Sequence, residues 1–125
     1  KKAEIKVTEY PASKGTEFFI AAEDPSQDIL IGFCRLRFPS EFLRPEITTE
    51  SALIRELHVY GTATAIGEEG MVQHKGWGKK LMEKAEEIAG KHGKKKMVVI
   101  SGVGVRNYYR KLGYEKEGMY MVKGI

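Results

Sequence analysis

An amphipathic helical pattern runs from Trp77 to about Lys91, directly between two apolar segments. The apolar positions recur at helical spacing and are Leu81, Met82, Ala85, Ile88 and Ala89. The preceding segment "ALIRELHVYG" predicts a strand from about Leu53 to Tyr60, and the following "MVVIS" predicts a short buried strand. A strand, a helix and a second strand in this order require a crossover connection on a sheet. The pattern therefore predicts an α/β chain built on a mixed sheet.

The remaining segments extend this predicted sheet. "EFFIAAED" and "DILIGFCRLRF" are typical of strands, and the turn residues of "EDPSQD" between them predict an antiparallel hairpin. Residues 40–49 and the glycine-containing residues 61–72 are predicted loops. A second helix is predicted from about Val105 to Leu112, ended by Gly113, and "MYMVK" predicts a last strand.

Length and composition indicate one domain spanning residues 1–125, because 125 residues of which 42% are hydrophobic can form a single core. The 21 Lys and Arg against 17 Asp and Glu allow an anionic ligand without requiring nucleic acid. Cys34, the single cysteine, excludes a disulfide framework within this chain and is predicted to be a small buried apolar residue. No apolar run is long enough for a membrane span or a signal sequence, which predicts a soluble cytoplasmic protein. Because the chain starts with Lys1, we expect it to be part of a longer polypeptide.

The stretch "QHKGWGKK" places Gly76 and Gly78 at the first turn of the predicted long helix, without a Ser, Thr or Asp just before them. A helix N-terminus has unpaired N–H groups and a partial positive charge, and glycine lets a bulky anion approach them. Gln-x-x-Gly-x-Gly after a strand and a loop therefore predicts a pyrophosphate site, with Lys75, Lys79 and Lys80 nearby. The alternative is that both glycines only shape a loop. The spacing matches neither the Rossmann fingerprint nor the P-loop.

Two motifs resemble the GNAT superfamily of N-acetyltransferases, which bind acetyl-coenzyme A. "QHKGWG" is similar to its Q/R-x-x-G-x-G/A motif, and "NYYRKLGY" is similar to its helix with a tyrosine four residues before a Gly-aromatic pair. The resemblance implies the GNAT acyl-CoA N-acyltransferase fold, a central mixed and mostly antiparallel sheet flanked by helices. That family normally begins with a strand and two helices, whereas almost nothing precedes the predicted hairpin. We therefore expect these elements to be missing, rearranged or supplied by upstream sequence.

Four segments narrow the resemblance: "LIRELHVYG", "QHKGWGKKLMEKAEEIA", "VISGVGVRNYYRKLGY" and "YMVK". Together they resemble the C-terminal acetyltransferase domain of the Elongator-type family, radical-SAM enzymes that modify the wobble uridine of transfer RNA. This implies that acetyl-CoA is consumed in building a carboxymethyl-type group at C5 of that uridine. The implied partners are transfer RNA, the radical-SAM domain of the same chain and other Elongator subunits, with no membrane. The implied iron-sulfur cluster and S-adenosylmethionine would belong to the absent N-terminal part, since Cys34 alone cannot hold a cluster.

The resemblance also implies which residues bind acetyl-CoA, without a metal. In the family, pantetheine lies between two splayed strands, and a backbone N–H there polarises the thioester oxygen. The matching strand positions are Glu56, Leu57, His58 and Val59. The positions matching the pyrophosphate loop are Gln73, His74, Lys75, Gly76, Trp77 and Gly78.

Tyr109 matches the family tyrosine, whose hydroxyl lies near the coenzyme sulfur and can protonate the departing thiolate. Its neighbour Tyr108 is the competing candidate, because adjacent helical residues point in different directions and only one should face the sulfur. The register of Gly113 and Tyr114 favours Tyr109. Either tyrosine could instead serve only packing.

An amine acceptor would require a general base, and the sequence singles out no one residue for that role. Strict alternation would place Glu56 and His58 on one strand face with Ile54 and Tyr60, and Leu53, Arg55, Leu57 and Val59 on the other. Glu56 or His58 could be a base, or simply a solvated or hydrogen-bonded side chain. If the acceptor is a carbon radical on RNA, no amine-deprotonating base is needed, which weakens the case for Glu56.

Other polar residues are predicted to lie at the surface. His74 and His92 are predicted surface groups, and their spacing with His58 does not indicate a metal site. Lys94 to Lys96 are a predicted solvated turn, or a phosphate contact in a transfer RNA enzyme. Two further functions remain open: a protein lysine N-acetyltransferase that depends on a carboxylate such as Glu56, and a non-catalytic acetyl-CoA or RNA-binding module.

Overall fold

The computed structural model describes residues 3–12, 15–39, 47–60, 76–101 and 103–125. These residues form one seven-stranded sheet with the strand order β1-β2-β3-β4-β5-β7-β6. In chain order the elements are β1 (Glu4–Ala12), β2 (Gly15–Asp24), β3 (Ile29–Pro39), β4 (Ser51–Val59), α1 (Trp77–Lys91), β5 (Lys96–Val99), a 3-10 turn (Val103–Val105), α2 (Arg106–Lys111), β6 (Glu115–Glu117) and β7 (Tyr120–Gly124).

The predicted hairpin and crossover are both present. β2 and β3 pair antiparallel, and the Asp24 carboxylate caps their turn by accepting from the Ser26 N–H at 3.1 Å and the Ser26 hydroxyl at 2.7 Å. α1 connects β4 to β5, the one parallel pair among the described strands. The other pairs are antiparallel, which confirms the predicted mixed, mostly antiparallel sheet flanked by helices.

An additional strand, β1, precedes the hairpin and was not predicted from the sequence. β1 pairs with β2 along its whole length, and only residues 13 and 14 lie between the two strands. Two residues cannot contain the two helices that the family normally has there. The signal for β1 was a weak alternation, in which Ile5 packs against the core while charged neighbours face solvent. The short β6 was also not predicted.

A β-bulge in β4 overturns the predicted strand faces. Arg35 pairs with Glu56, but the next β3 residue, Leu36, pairs with Ile54, so Arg55 is the extra residue. The extra residue reverses the alternation of the side chains. Ala52 and Ile54 before the bulge, and Leu57 and Val59 after it, therefore all pack on the same core. Ile54 does not share a face with Glu56 and His58.

The core lies between one face of the sheet and α1. The buried residues of α1 are Trp77, Gly78, Leu81, Met82, Ala85, Ile88 and Ala89, as the helical periodicity predicted. Tyr109 of α2 belongs to the same core cluster, and so does the buried Cys34. Both helices thus cover one face of the sheet, and no described helix covers the other. None of the described helices has the length and apolar character of a bilayer-spanning segment.

Candidate functional site

A gap opens in the sheet between β4 and β5. The two strands pair only over four positions, Ser51 to Ile54 of β4 with Lys96 to Val99 of β5. The last cross-strand contact is the Ile100 N–H donating to the Ile54 carbonyl at 3.3 Å. β4 continues to Val59 against β3, with no described strand on its other side. The second half of β4 therefore borders an open slot.

Backbone hydrogen bonding determines which β4 groups face this gap. The Tyr60 N–H donates to the Ile31 carbonyl on β3 at 2.9 Å. In an antiparallel pair the backbone groups of successive residues point alternately toward and away from the partner strand. His58 therefore points its carbonyl at β3, where a Cβ built on Gly32 would lie 2.7 Å from that oxygen. Leu57 and Val59 are left with backbone groups directed into the gap, whereas those of Glu56 and His58 face β3.

The residue before α1, Gly76, has a backbone conformation that favours glycine. Gly76 adopts a φ of 85°, a left-handed conformation that other residues adopt only at a cost. Among the described residues no side chain caps this end, and the first turn contains no acidic residue. A Cβ built on Gly76 would have nothing within 4 Å among the described residues. No described residue therefore blocks the approach of an anion to the positive end of α1. Gln73, His74 and Lys75 lie outside the described residues.

Gly78 joins three elements at the entrance of the gap. A Cβ built on Gly78 would collide with the Tyr108 hydroxyl of α2 and would lie 3.7 Å from Val59 Cγ2 on β4. The neighbouring Trp77 is buried, and the Lys80 ammonium lies 4.4 Å from the centre of its ring. The absence of a side chain at Gly78 thus allows α1, α2 and the end of β4 to meet.

The two candidate tyrosines occupy different environments. Tyr109 is buried in the core, and this burial raises the pKa of its hydroxyl to about 12. Tyr108 is 39% exposed, its hydroxyl lies against Gly78, and partial burial also raises its pKa. The two ring centres are 5.2 Å apart in an edge-to-face arrangement. Both phenols are protonated at neutral pH, as an ordinary tyrosine is, so each has a proton to donate.

Glu56 and His58 are not brought together with the tyrosines. Because of the bulge, their side chains lie on the sheet face opposite α1. Glu56 is exposed and lies 3.5 Å from the Arg35 guanidinium. His58 stacks on Phe33 with 5.8 Å between ring centres. The structure thus separates the candidate bases from the candidate acids.

Two polar residues near the gap were not singled out from the sequence. Ser101 Oγ and Arg106 Nε are buried and have no hydrogen-bond partner among the described residues. Ser101 directly follows Ile100, where β4 and β5 part, and alternation along β5 directs it to the same side as Met97 and Val99. Arg106 lies three residues before Tyr109 and therefore on the same side of α2. Since a buried donor without an acceptor is costly, both residues are suited to a ligand acceptor.

The C-terminal end of α2 is held by a polar cluster. The Tyr114 hydroxyl donates to Glu86 of α1 at 2.8 Å, and burial raises the pKa of this phenol. The Lys123 ammonium donates to Glu86 at 3.2 Å and to the Leu112 carbonyl at 3.1 Å. These bonds tie α1, α2 and β7 together and hold the tyrosines of α2 in place.

His92, predicted at the surface, is exposed, and Lys96 belongs to β5 rather than to a turn.

Comparisons with known proteins show which proteins this chain is similar to. Residues 2–114 match the family model described as the acetyltransferase (GNAT) family. The chain is 50% identical to the zebrafish Danio rerio protein named Elongator complex protein 3, over 99% of this chain and 23% of that protein. It is 53% identical to the Methanocaldococcus jannaschii protein named tRNA uridine(34) acetyltransferase, over 92% of this chain and 22% of that protein. The chain thus spans less than a quarter of the length of these curated relatives.

Two solved structures superpose on this chain. An archaeal Elp3 from Methanocaldococcus infernus with an N-terminal deletion superposes with a TM-score of 0.89 and 46% identity, over 99% of this chain and 30% of that one. The PaiA N-acetyltransferase of Thermoplasma acidophilum, solved in complex with coenzyme A, superposes with a TM-score of 0.57 and 24% identity, over 87% of this chain and 61% of that one. At that identity the second match shows the fold alone.

Proposed function

Since this chain belongs to the GNAT family of acetyltransferases, we propose that it binds acetyl-CoA in the gap between β4 and β5. We further propose that it is the acetyltransferase domain, residues 1–125, of an Elongator-type enzyme that modifies the wobble uridine of transfer RNA. The observation that carries the first proposal is the parting of β4 and β5 beside an uncapped helix N-terminus. The second rests on about 50% identity to Elongator complex protein 3 and tRNA uridine(34) acetyltransferase.

The pantetheine arm lies along the gap-facing side of β4 in this proposal. Its amides pair with the backbone groups of Leu57 and Val59, in the manner of an added strand. Glu56 and His58 pair with β3 and so hold this part of β4 in position for the pantetheine arm. An N–H of this segment, directed at the thioester oxygen, stabilises the negative charge that develops there during acyl transfer.

The pyrophosphate lies at the N-terminus of α1. No described residue fills the space beside Gly76, which admits a phosphate oxygen, and the positive end of the helix stabilises the anion. Gly78 and the Trp77 backbone continue the same loop, and Gln73, His74 and Lys75 complete it. Lys79 and Lys80 are exposed beside this end and add positive charge.

Tyr109 is the proposed acid that protonates the departing thiolate. When the bond between the acetyl carbon and sulfur breaks, the hydroxyl proton moves to the sulfur. A hydroxyl with a pKa of about 12 is fully protonated at neutral pH, as this role requires. Tyr108, whose hydroxyl lies against Gly78, is the alternative. Glu56 lies on the opposite sheet face, paired with Arg35, and is the weakest candidate for a base.

Ser101 and Arg106 supply further hydrogen-bond donors in this proposal. Both have a buried polar atom without a partner among the described residues. Spacing along β5 and α2 directs them to the sheet side that Tyr109 occupies. An oxygen acceptor of the bound acetyl-CoA satisfies them. Leaving these two donors without an acceptor costs stability in the ligand-free protein, and ligand binding offsets that cost.

The remaining reaction components belong to the longer enzyme. The acceptor is the wobble uridine, activated by the radical-SAM domain of the same chain, where the iron-sulfur cluster and S-adenosylmethionine would bind. This chain has one cysteine, Cys34, which is buried, so it cannot itself ligate such a cluster. The other Elongator subunits and a cytoplasmic location are part of the same proposal.

The test is a calorimetric titration of acetyl-CoA into this chain, together with free-thiol release measured with and without transfer RNA. Burial raises the pKa of Cys34 to about 12, so the protein's own thiol contributes little to the assay. We expect binding with little turnover by the isolated chain, and turnover stimulated by transfer RNA in the full-length enzyme.

Other outcomes separate the competing functions. The absence of acetyl-CoA binding would contradict the site. Acetylation of a lysine peptide that depends on Glu56 would indicate a protein acetyltransferase. Binding without turnover by the full-length enzyme, whatever RNA is supplied, would indicate a non-catalytic module.

A further inference from the structure

A carboxylate on α1 is bonded to the segment that follows α2. The Glu86 side chain is only 17% exposed, and its carboxylate accepts from the Tyr114 hydroxyl at 2.8 Å and from the Lys123 ammonium at 3.2 Å. The Lys123 ammonium also donates to the carbonyl of Leu112, the C-cap of α2, at 3.1 Å. Through Glu86, α1 therefore holds the residues that end α2.

α2 depends on such contacts because it is short. It has six residues, and among the described residues no side chain caps its N-terminus. A helix of this length is not stable in water without tertiary contacts. The N–H groups of Leu112 and Tyr114 both donate to the Tyr109 carbonyl, at 3.0 and 3.1 Å. The backbone of Tyr109 is thus anchored to the residues that Glu86 and Lys123 hold.

The aromatic rings continue this connection to Tyr109. The Tyr114 ring is 2% exposed and packs edge-to-face on the Tyr109 ring, with 6.0 Å between ring centres. The hydroxyl at the far end of Tyr114 is held by Glu86, so this ring is fixed by a hydrogen bond as well as by the core. The orientation of Tyr109 therefore depends on Glu86 through the Tyr114 ring.

α1 also carries the proposed pyrophosphate position at its N-terminus. Glu86 lies about 14 Å along the helix axis from Trp77, the first residue of α1. Near that first residue, the Tyr108 hydroxyl of α2 lies against Gly78. The segment from α2 to Tyr114 thus contacts α1 at two separate points. Since a helix is stiff along its axis, α1 fixes the tyrosines relative to the proposed pyrophosphate position.

We propose that Glu86 is a positioning residue for proton transfer to the coenzyme sulfur, acting through Tyr114 on Tyr109. The proton itself moves from the Tyr109 hydroxyl to the sulfur when the carbon–sulfur bond breaks, and Glu86 does not exchange it. Misplacing a reacting group by about 1 Å can lower a rate by about a hundredfold. Loss of the Glu86 contact should therefore affect the rate more than the affinity. The inference rests on the proposed function, in which Tyr109 is the acid.

The test is a double-mutant cycle between Glu86 and Tyr109 in the full-length enzyme, with kcat for thiol release and acetyl-CoA affinity both measured. Glu86→Leu keeps a side chain of similar size without an acceptor, and we expect kcat to fall about tenfold with affinity changed less than about twofold. Glu86→Gln keeps an oxygen acceptor for the Tyr114 hydroxyl and should recover most of the rate. In Tyr109→Phe, which has no hydroxyl to position, adding Glu86→Leu should lower the rate by less than about twofold.

Two further variants separate positioning from a loss of stability. Tyr114→Phe removes the same hydrogen bond and keeps the ring, and it should lower kcat about threefold even if Glu86→Leu folds poorly. Glu87→Leu is the matched control, because Glu87 pairs with Lys84 and Lys91 of its own helix. It should leave kcat unchanged. Thermal unfolding of each variant gives the folded fraction at the assay temperature.

Unchanged kcat in both Glu86→Leu and Tyr114→Phe would overturn the proposal. An equal loss from Glu86→Leu with Tyr109 and with Phe at that position would also overturn it, because the effect would not act through the acid. Full thiol release by Tyr109→Phe is a distinct result. It would contradict the acid of the proposed function, and the positioning role would fail with it.

Discussion

At the scale of single residues, substitutions of Tyr108 and Tyr109 should distinguish effects on acetyl-CoA affinity from effects on the rate of thiol release. We expect Tyr109→Phe in the full-length enzyme to reduce thiol release by about a hundredfold or more with little change in acetyl-CoA affinity, because a general acid acts only in the transition state. Tyr108→Phe, which alters the contact with Gly78, should change affinity by a few-fold and the rate much less. The opposite pattern, measured by the same assay, would assign the proton transfer to Tyr108.

Ser101 should show opposite effects on stability and binding. Ser101→Ala removes a buried hydroxyl that has no partner in the described part of the chain, so the free protein should be equally stable or more stable by up to about 1 kcal/mol. Acetyl-CoA affinity should fall about fivefold, because the ligand loses one donor. Thermal unfolding and calorimetry measure the two quantities. The control is Ser26→Ala, whose hydroxyl donates to Asp24, and it should lose stability with unchanged affinity. A loss of stability in Ser101→Ala with full affinity would show a structural role.

At the scale of elements, the two ends of α1 offer a matched pair of variants. Gly76 and Gly93 have φ angles of 85° and 80°, and a Cβ on either would meet no described residue within 4 Å. Gly76→Glu and Gly93→Glu therefore add the same charge and a similar backbone strain of about 1 kcal/mol. Only Gly76→Glu should abolish acetyl-CoA binding by calorimetry, because its carboxylate occupies the proposed pyrophosphate position. Retained affinity in Gly76→Glu would contradict the pyrophosphate site.

The strands β2, β3 and β4 are joined through the buried Glu17 carboxylate. Glu17→Gln should reduce the free energy of unfolding at pH 7 by about 2 kcal/mol, because the guanidiniums of the β3 and β4 arginines around it lose their shared partner. The pKa of Glu17 is lowered in the folded state. Its contribution is therefore present above the unfolded value, about 4.3, and is lost as pH falls through the lower folded value.

Urea unfolding measured between pH 7 and pH 3 tests this dependence. The stability of Glu17→Gln should decline less below pH 4 than that of the unmodified chain. Glu87→Gln is the control, since that glutamate is solvent-exposed and ion-paired on α1, and its effect should be small. Parallel pH curves for the unmodified chain and Glu17→Gln would contradict the assignment.

At the scale of the whole molecule, the gap should couple ligand binding to global stability. The proposed ligand contacts α1, α2, β4 and the end of β5, so it can bind only when these elements are assembled. Acetyl-CoA at about 100 times its dissociation constant should add about 2.7 kcal/mol to the free energy of unfolding. A thermal scan with acetyl-CoA, with free coenzyme A and with acetate measures this shift, and acetate should have no effect. A transition temperature independent of acetyl-CoA concentration would contradict binding to the folded chain.

The sequence by itself determined the elements whose signals are local. The spacing of Leu81, Met82, Ala85 and Ile88 defined α1, because helical periodicity depends only on neighbours within two turns. Gly76 at the start of α1 reflects a left-handed φ that favours glycine. The crossover between β4 and β5 follows from connectivity. The family resemblance carried by these segments also implied a gap between the two strands.

Only the tertiary structure decided how distant residues meet. The bulge at Arg55 reverses the faces of β4 and separates Glu56 and His58 from the tyrosines, and a single inserted residue leaves no periodic signal. The burial of Tyr109, the contact of Tyr108 with Gly78 and the convergence of three arginines on Glu17 depend on how strands and helices pack. Local patterns report which side of an element a residue occupies. Its partners depend on strand register and packing, which are set by the whole fold.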